Sequence, residues 1–226
     1  MEKEKFIPEI RTGLRKNIIQ VPKAIYKASG INILGKRVKS FLFSTDVAII
    51  RNTNADAIIA VYPFTPQPAI TQAIMDVASV PVFCGVGGGI TSGQRSINIA
   101  LHAEFQGALG VVLNAPTPNE VIREMKERID IPIVVTVVSE SENIDERIKA
   151  GVSILNVSGA ANTANIVKMI RKDYPYIPII ATGGPTDDTI LKTVEAGANA
   201  ITYTPPLTSD ILSGIMDTYR DKIEND

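Results

Sequence analysis

Eight short runs of β-branched and apolar residues, each followed by an amphipathic stretch, constrain this chain more than any other feature. They lie at 40–44, 56–62, 80–85, 108–114, 131–138, 152–157, 177–182 and 199–203. Most, such as IPIVVTVV and VSILNV, are apolar without alternation. Such runs suit parallel strands covered on both faces. Strand and helix alternating eight times predict an α/β chain closed into a (β/α)8 barrel.

An internal echo agrees. QGALGVVLNAP, KAGVSILNVSG and EAGANAITYTP align on Gly107, Gly151 and Gly197, about two strand–helix units apart. In each copy the glycine follows a helix, where a positive φ ends the helix at low cost. Helix starts are marked as well. Thr117-Pro-Asn-Glu120 reads as a capping box opening a helix over 118–129. Asn162 or Thr163, Thr186 with Asp187 and Asp188, and Thr208 or Ser209 are the expected starts of later helices. The crossover at 46–53 is short for a barrel helix. Residues 1–39 precede the first strand. There 17–28 is expected to be helical apart from Pro22, and 32–39 a hairpin turning at Gly35-Lys36. This segment reads as a cover on the barrel's N-terminal face. The expected organisation is one domain over 1–226, with 40–226 the barrel.

Composition removes several function classes. A formal charge of -1, with no basic clusters interleaved with aromatics, predicts no nucleic-acid partner. No apolar run is long enough to span a bilayer and no leader is recognisable, so no membrane partner is expected. A single cysteine, Cys84, fits a reducing, cytoplasmic setting.

Barrel sites form where strands end. The strand ends here carry hydroxyls, amides and glycines, and little charge. Asp46 is the one carboxylate immediately at a strand end. It is the expected acid or base, since an apolar surrounding raises a carboxyl pKa. Cys84 is a second catalytic candidate, conditional on an activating base or dipole. The sole histidine, His102, falls about 15 Å along a helix that runs away from the mouth, and is expected to be structural or interfacial. Without clustered His, Asp or Glu, no metal site is expected, and no cofactor. Gly183 and Gly184 allow backbone N–H groups to approach an anion beside a helix N-terminus. Ser158 and Gly159 form a similar concavity, with Thr182 and Thr204 adjoining; Asn114 and Asn156 are expected to orient substrate oxygens. GVGGGITSG, with Gly87, Gly88 and Gly89, is expected to act as a mobile flap.

Read together, IPIIATGGP and ANAITYTPP resemble the aldolase-type, ribulose-phosphate-binding TIM barrels. Where that group has a glycine–serine pair after strand eight, this chain has Thr204-Pro205. GLRKNIIQVPKAIY, RNTNADAIIAVYPFTPQPAITQAIM and VFCGVGGGITSGQRS also resemble bacterial barrels that carry only the label hydrolase. The resemblance implies a (β/α)8 TIM barrel, here with the N-terminal helix and hairpin extension expected above, and lyases, epimerases or synthases acting on phosphorylated substrates. Together with the polar, charge-poor mouth, the expectation is lyase, isomerase or hydrolase chemistry on a small phosphorylated or carboxylated metabolite, without a metal. A non-catalytic metabolite sensor and a structural oligomer are the competing expectations. A homo-oligomer, by default a dimer, is expected.

Overall fold

In the computed structural model, residues 6–10, 12–13 and 17–225 are described. Eight parallel strands close into a barrel: β3 (Ser40–Phe43), β4 (Ala57–Ala60), β5 (Val82–Gly87), β6 (Gly110–Leu113), β7 (Ile133–Val137), β8 (Ile154–Val157), β9 (Ile179–Thr182) and β10 (Ala200–Tyr203). The closing pair is β10 with β3, in register at Ile201–Ser40 and Tyr203–Leu42. All eight expected strands form, seven of them trimmed by one to three residues, while β5 starts two residues later and runs two residues further than expected, to Gly87. Each is followed by a helix: α1 (Val47–Arg51), α2 (Pro68–Val77), α3 (Gln94–Phe105), α4 (Asn119–Lys126), α5 (Ile144–Lys149), α6 (Thr163–Asp173), α7 (Asp187–Glu195) and α8 (Thr208–Asn225).

The apolar runs bury both ways, as unalternating strands must. Outward residues such as Leu42, Cys84, Val111, Val135 and Ile201 pack with the helices. Inward residues such as Phe41, Ile59, Phe83, Val134 and Ile180 fill the barrel. Phe41 meets Phe83 edge to face, with ring centroids 5.2 Å apart. Gly107, Gly151 and Gly197 all have positive φ at the ends of helices, as the echo requires.

Of the expected N-terminal cover, residues 1–5, 11 and 14–16 lie outside the described residues, and the rest differs in detail from expectation. The antiparallel hairpin of β1 (Ile31–Ile33) and β2 (Lys36–Val38) plugs the bottom of the barrel. Its Ile31, Ile33 and Val38 join the interior cluster. The turn falls one residue early, with Leu34 and Gly35 both at positive φ, as a two-residue hairpin loop demands. In place of a helix over 17–28 there is a single 3-10 turn, Lys23–Lys27. Pro22 explains this, because it has no N–H and disfavours helix before it. The capping box at Thr117 does not form either. Pro118 takes the cap position without a side-chain bond, and the Thr117 hydroxyl instead donates to the Asn114 carbonyl at 2.6 Å. Thr186 does form a capping box, with Thr189 as its partner.

Candidate functional site

Side chains alternate along a strand, so residues two positions beyond the barrel interior face the same way at the open end. Val112, Val134, Ile154, Ile180 and Ala200 lie inside. Asn114, Thr136, Asn156, Thr182 and Thr202 therefore form the floor of the mouth along five successive strands. Asn156 Nδ2 donates to Thr136 Oγ1 at 3.2 Å, and Thr136 Oγ1 donates to Asn114 Oδ1 at 3.4 Å. Thr182 Oγ1 donates to Ser158 Oγ at 3.3 Å. Two atoms of this floor, Asn156 Oδ1 and Thr202 Oγ1, are buried without a hydrogen-bond partner. Native proteins pair nearly all such atoms, because an orphaned one costs about 1–3 kcal/mol.

Beside this floor a cavity of about 400 Å³ opens between the β8–α6 and β9–α7 loops. Thr163, Thr182, Gly184, Thr189 and Lys192 line it, and Lys192 is its one charged lining residue. Asn162, at the cap position of α6, makes no side-chain cap bond. It donates to Glu140 Oε1 at 2.7 Å instead. α6 continues directly from a 3-10 turn, Ala160–Asn162, where the Ala160 carbonyl accepts from the Thr163 N–H, and Ala160 and Ala161 of that turn line the cavity. Gly184 has a φ of +80°, and an added Cβ would stand 2.7 Å from Thr189 Oγ1. The glycine is thus needed for backbone shape and for the close approach of α7.

The expected site residues separate into three places. Asn114, Asn156, Ser158 and Thr182 meet at the floor, with Gly183 and Gly184 beside them in the cavity. The Gly159 N–H lies close by but already donates to Thr163 Oγ1 at 3.0 Å, so it is no free anion donor. Thr204 stands apart, with Asp46, in a recess of about 240 Å³ between the ends of β10 and β3.

Asp46 occupies the N-cap of α1. Its Oδ1 accepts from the Ala48 and Ile49 N–H groups at 2.8 and 3.2 Å, and its Oδ2 accepts from the Thr208 hydroxyl. The Thr208 bond, foremost, pulls its pKa below the ordinary carboxylate value, with the two backbone bonds assisting against burial. This reverses the expected upward shift: three donors stabilise the charged form. Cys84 points outward among the residues beneath the helices. Burial pushes its thiol up to about 12, so it is held protonated and away from the mouth. That corrects the nucleophile reading.

The glycine loop is pinned, not free. The Gly88 N–H donates to Thr91 O at 2.8 Å, Gly89 N–H to Pro116 O at 3.0 Å, and Asn114 N–H to Gly87 O at 2.9 Å. A Cβ on Gly88 would lie 2.2 Å from the Asn114 carbonyl oxygen. Only the tip stands away, with Ile90 93% exposed. Under the loop a recess of about 190 Å³ is lined by Tyr62, Phe64 and Asn114. The Tyr62 hydroxyl accepts from Gln67 N–H at 2.8 Å.

Lys192, on the cavity wall, was not legible from the sequence, whereas Thr202 stands at a strand end where mouth residues are expected. Thr189, Lys192 and Thr193 are spaced three and four apart on one helix face, a signal that could have found the lysine. His102 is exposed on α3, beside Arg95 and Asn98. Among the described residues no three His, Cys, Asp or Glu side chains converge as a metal site. No described helix is long and apolar enough to cross a membrane.

No protein-family model matches the chain, and no curated protein matches it. Solved structures do. A phosphonopyruvate hydrolase in complex with oxalate and Mg²⁺ matches with a TM-score of 0.64 at 10% identity, over 86% of this chain and 85% of that one. The 4-hydroxy-tetrahydrodipicolinate synthase of Methylacidiphilum fumariolicum SolV matches with a TM-score of 0.59 at 15% identity, over 75% and 68%. A thiamine phosphate pyrophosphorylase from Pyrococcus furiosus matches with a TM-score of 0.56 at 18% identity, over 73% and 84%. At such identities the likeness shows the fold alone, a (β/α)8 TIM barrel.

Proposed function

We propose that this barrel is an enzyme acting on a small carboxylated or phosphorylated metabolite at its open end. One observation carries the proposal: a cavity walled by Lys192 and the turn leading into α6 adjoins a floor with two orphaned polar atoms, Asn156 Oδ1 and Thr202 Oγ1. The cavity suits an anion through one cation and the dipole of the helical segment beside it, since its threonine hydroxyls already donate within the protein. Asn156 Oδ1 can only accept, so the group that meets it must donate; a ligand hydroxyl does so. The best-fitting ligand class is therefore a hydroxylated carboxylate or phosphate ester. Phosphonopyruvate and thiamine phosphate, in the names of the solved neighbours, support an anionic ligand.

The chemistry in view is that of a lyase, isomerase or hydrolase. Lys192 would hold the anion. Asn114, Thr136, Asn156 and Thr202 would orient and polarise the reacting oxygens. A metal-independent reaction is part of the proposal, on the ground of this neutral donor set. A second reading, a sensor without turnover, is favoured by one fact: neither Asp46 nor Cys84 brings a base to the floor.

The test is a panel of hydroxylated carboxylates and phosphate esters, scored by the shift in melting temperature and by product formation. Ligand at a hundred times its Kd stabilises by about 2.7 kcal/mol. The shift should shrink in Lys192→Met and in Thr202→Val. Turnover separates enzyme from sensor. A panel without any binder, or equal shifts in wild type and Lys192→Met, overturns the assignment of the cavity.

A further inference from the structure

Five glycines in the nine residues of GVGGGITSG leave the end of β5 almost bare of side chains. The pairing of β5 with β6 shifts register between Gly85 and Gly87. A Cβ on Gly87 would collide with Ser96 Oγ, and one on Gly88 with the Asn114 backbone. The loop is thereby drawn against α3 and β6, and the recess of about 190 Å³ opens between it and the β4–α2 loop. Val61, Tyr62, Phe64 and Ile90 give this recess apolar and aromatic walls, glycine backbone gives it a bare side, and no charged residue lines it. Phe64 is 72% exposed and Ile90 93%. Two large apolar side chains from different loops, open to water around one recess, hold surface that a ligand would cover.

Asn114 belongs to this recess and to the polar floor at once. Its Oδ1 accepts from Thr136 Oγ1, which leaves Nδ2 a donor without an acceptor among the described residues. The Lys192 cavity lies on the other flank of the same floor. The recess stands over the ends of β4, β5 and β6, and the cavity over the ends of β8 and β9. From Asn114 on β6 to Asn156 on β8 there are two strand spacings, about 10 Å. A ligand that reaches both flanks therefore carries its anion at one end, an uncharged apolar group at the other, and oxygens between them.

We propose that this recess is a subsite for one uncharged ring of phenyl size, carried by the same ligand whose anion meets Lys192; the second half rests on the functional reading above. Size selects a single ring. A protein cavity of about 150 Å³ takes up benzene, and this recess is slightly larger and open on one side. Its walls select a ring over a flexible chain, since Tyr62 and Phe64 offer it edge-to-face or offset contact. The uncharged lining disfavours a second ionised group at this end. Asn114 Nδ2 asks for an oxygen acceptor where the ring joins the rest of the ligand. The substrate class narrows to an elongated aryl-substituted hydroxy acid, or its phosphate-ester counterpart.

Benzyl alcohol, a neutral ring without an anion, tests the recess alone. Titrated into the full chain and followed by NMR, it should move the Tyr62, Gly88, Gly89 and Asn114 amides saturably, and equally in Lys192→Met. Phe64→Ser combined with Ile90→Ser should raise the half-saturating concentration about tenfold. The unfolding transition should stay where it is, because both side chains stand in solvent. A matched pair of acids tests the link between the two flanks. 6-Phenyl-2-hydroxyhexanoate should bind wild type about tenfold more tightly than 2-hydroxyhexanoate, and the double variant should bind the two alike. No saturable movement at those amides, or movement indifferent to the double variant, overturns the ring subsite. Equal binding of the two acids to wild type overturns the shared ligand. If benzyl alcohol binds and neither acid does, the Lys192 cavity and the functional reading fall while the ring subsite stands.

Discussion

The Thr208 hydroxyl donates to the Asp46 carboxylate across 162 positions of sequence. One carboxylate therefore caps the first barrel helix and anchors the start of the last. The barrel closes at this point between β10 and β3, and the bond ties the two loops flanking the seam.

Because the folded pKa of Asp46 lies below its ordinary 3.8, the Thr208 bond being the first cause, its stabilisation is complete above that ordinary value. It fades as pH falls through 3.8 toward the folded pKa. Asp46→Ala should cost about 1 kcal/mol at neutral pH, as loss of an N-cap does. Urea unfolding should show the gap to wild type narrowing in acid. Thr208→Val should move the Asp46 carboxyl upward in an NMR titration.

Cys84 should be inert. With its thiol pushed up to about 12 and buried, the folded protein should resist alkylation at pH values where a free cysteine reacts, and react fully in denaturant. Cys84→Ala should cost about 1 kcal/mol and leave ligand binding unchanged. Rapid labelling of the native state would contradict the outward placement.

Gly88 and Gly89 are neighbours with different constraints. A Cβ on Gly88 meets the Asn114 backbone at 2.2 Å, whereas one on Gly89 meets nothing within 4 Å, though its φ is +64°. Gly88→Ala should destabilise by about 3 kcal/mol or more, and Gly89→Ala by about 1 kcal/mol. Denaturant midpoints compare them directly. Equal effects would show that the loop is not pinned at Gly88.

Arg171 serves the closed end of the barrel. Its guanidinium donates to the carbonyls of Pro175 at 2.7 Å, Ile177 at 2.9 Å and Gly197 at 2.9 Å, and to Asn199 Oδ1 at 2.8 Å. An ammonium cannot reproduce that fork. Arg171→Lys should therefore cost about 2 kcal/mol, read as a lower melting temperature without loss of ligand binding.

The architecture was readable because strand and helix repeat is a local property. The run IPIVVTVV announces a strand covered on both faces whatever stands beside it, and Gly107, Gly151 and Gly197 announce helix ends. The failures were local too, where two signals competed. Thr117 had the form of a cap, yet the Asn114 carbonyl lay nearer to its hydroxyl. Residues 17–28 had helical periodicity, but Pro22 left only a 3-10 turn.

The site was half readable. That Asn114, Asn156, Ser158 and Thr182 would lie together was legible because strand ends converge in a barrel. Lys192 was not, since a lysine on a helix face looks like any solvated lysine until the neighbouring loop bends toward it. Asp46 was found for the wrong chemistry: the donors that hold it include one from the opposite end of the chain.

From its own order of residues this chain determined eight covered strands, their parallel closure and a polar, charge-poor mouth. Burial of apolar surface accumulates residue by residue, so its pattern survives without knowledge of neighbours. Only the tertiary structure decided which donor each carboxylate and hydroxyl would take and which polar atoms would be left unpaired. Those outcomes depend on single distances between segments remote in sequence, and a hydrogen bond that falls away within an ångström cannot be inferred from a periodicity.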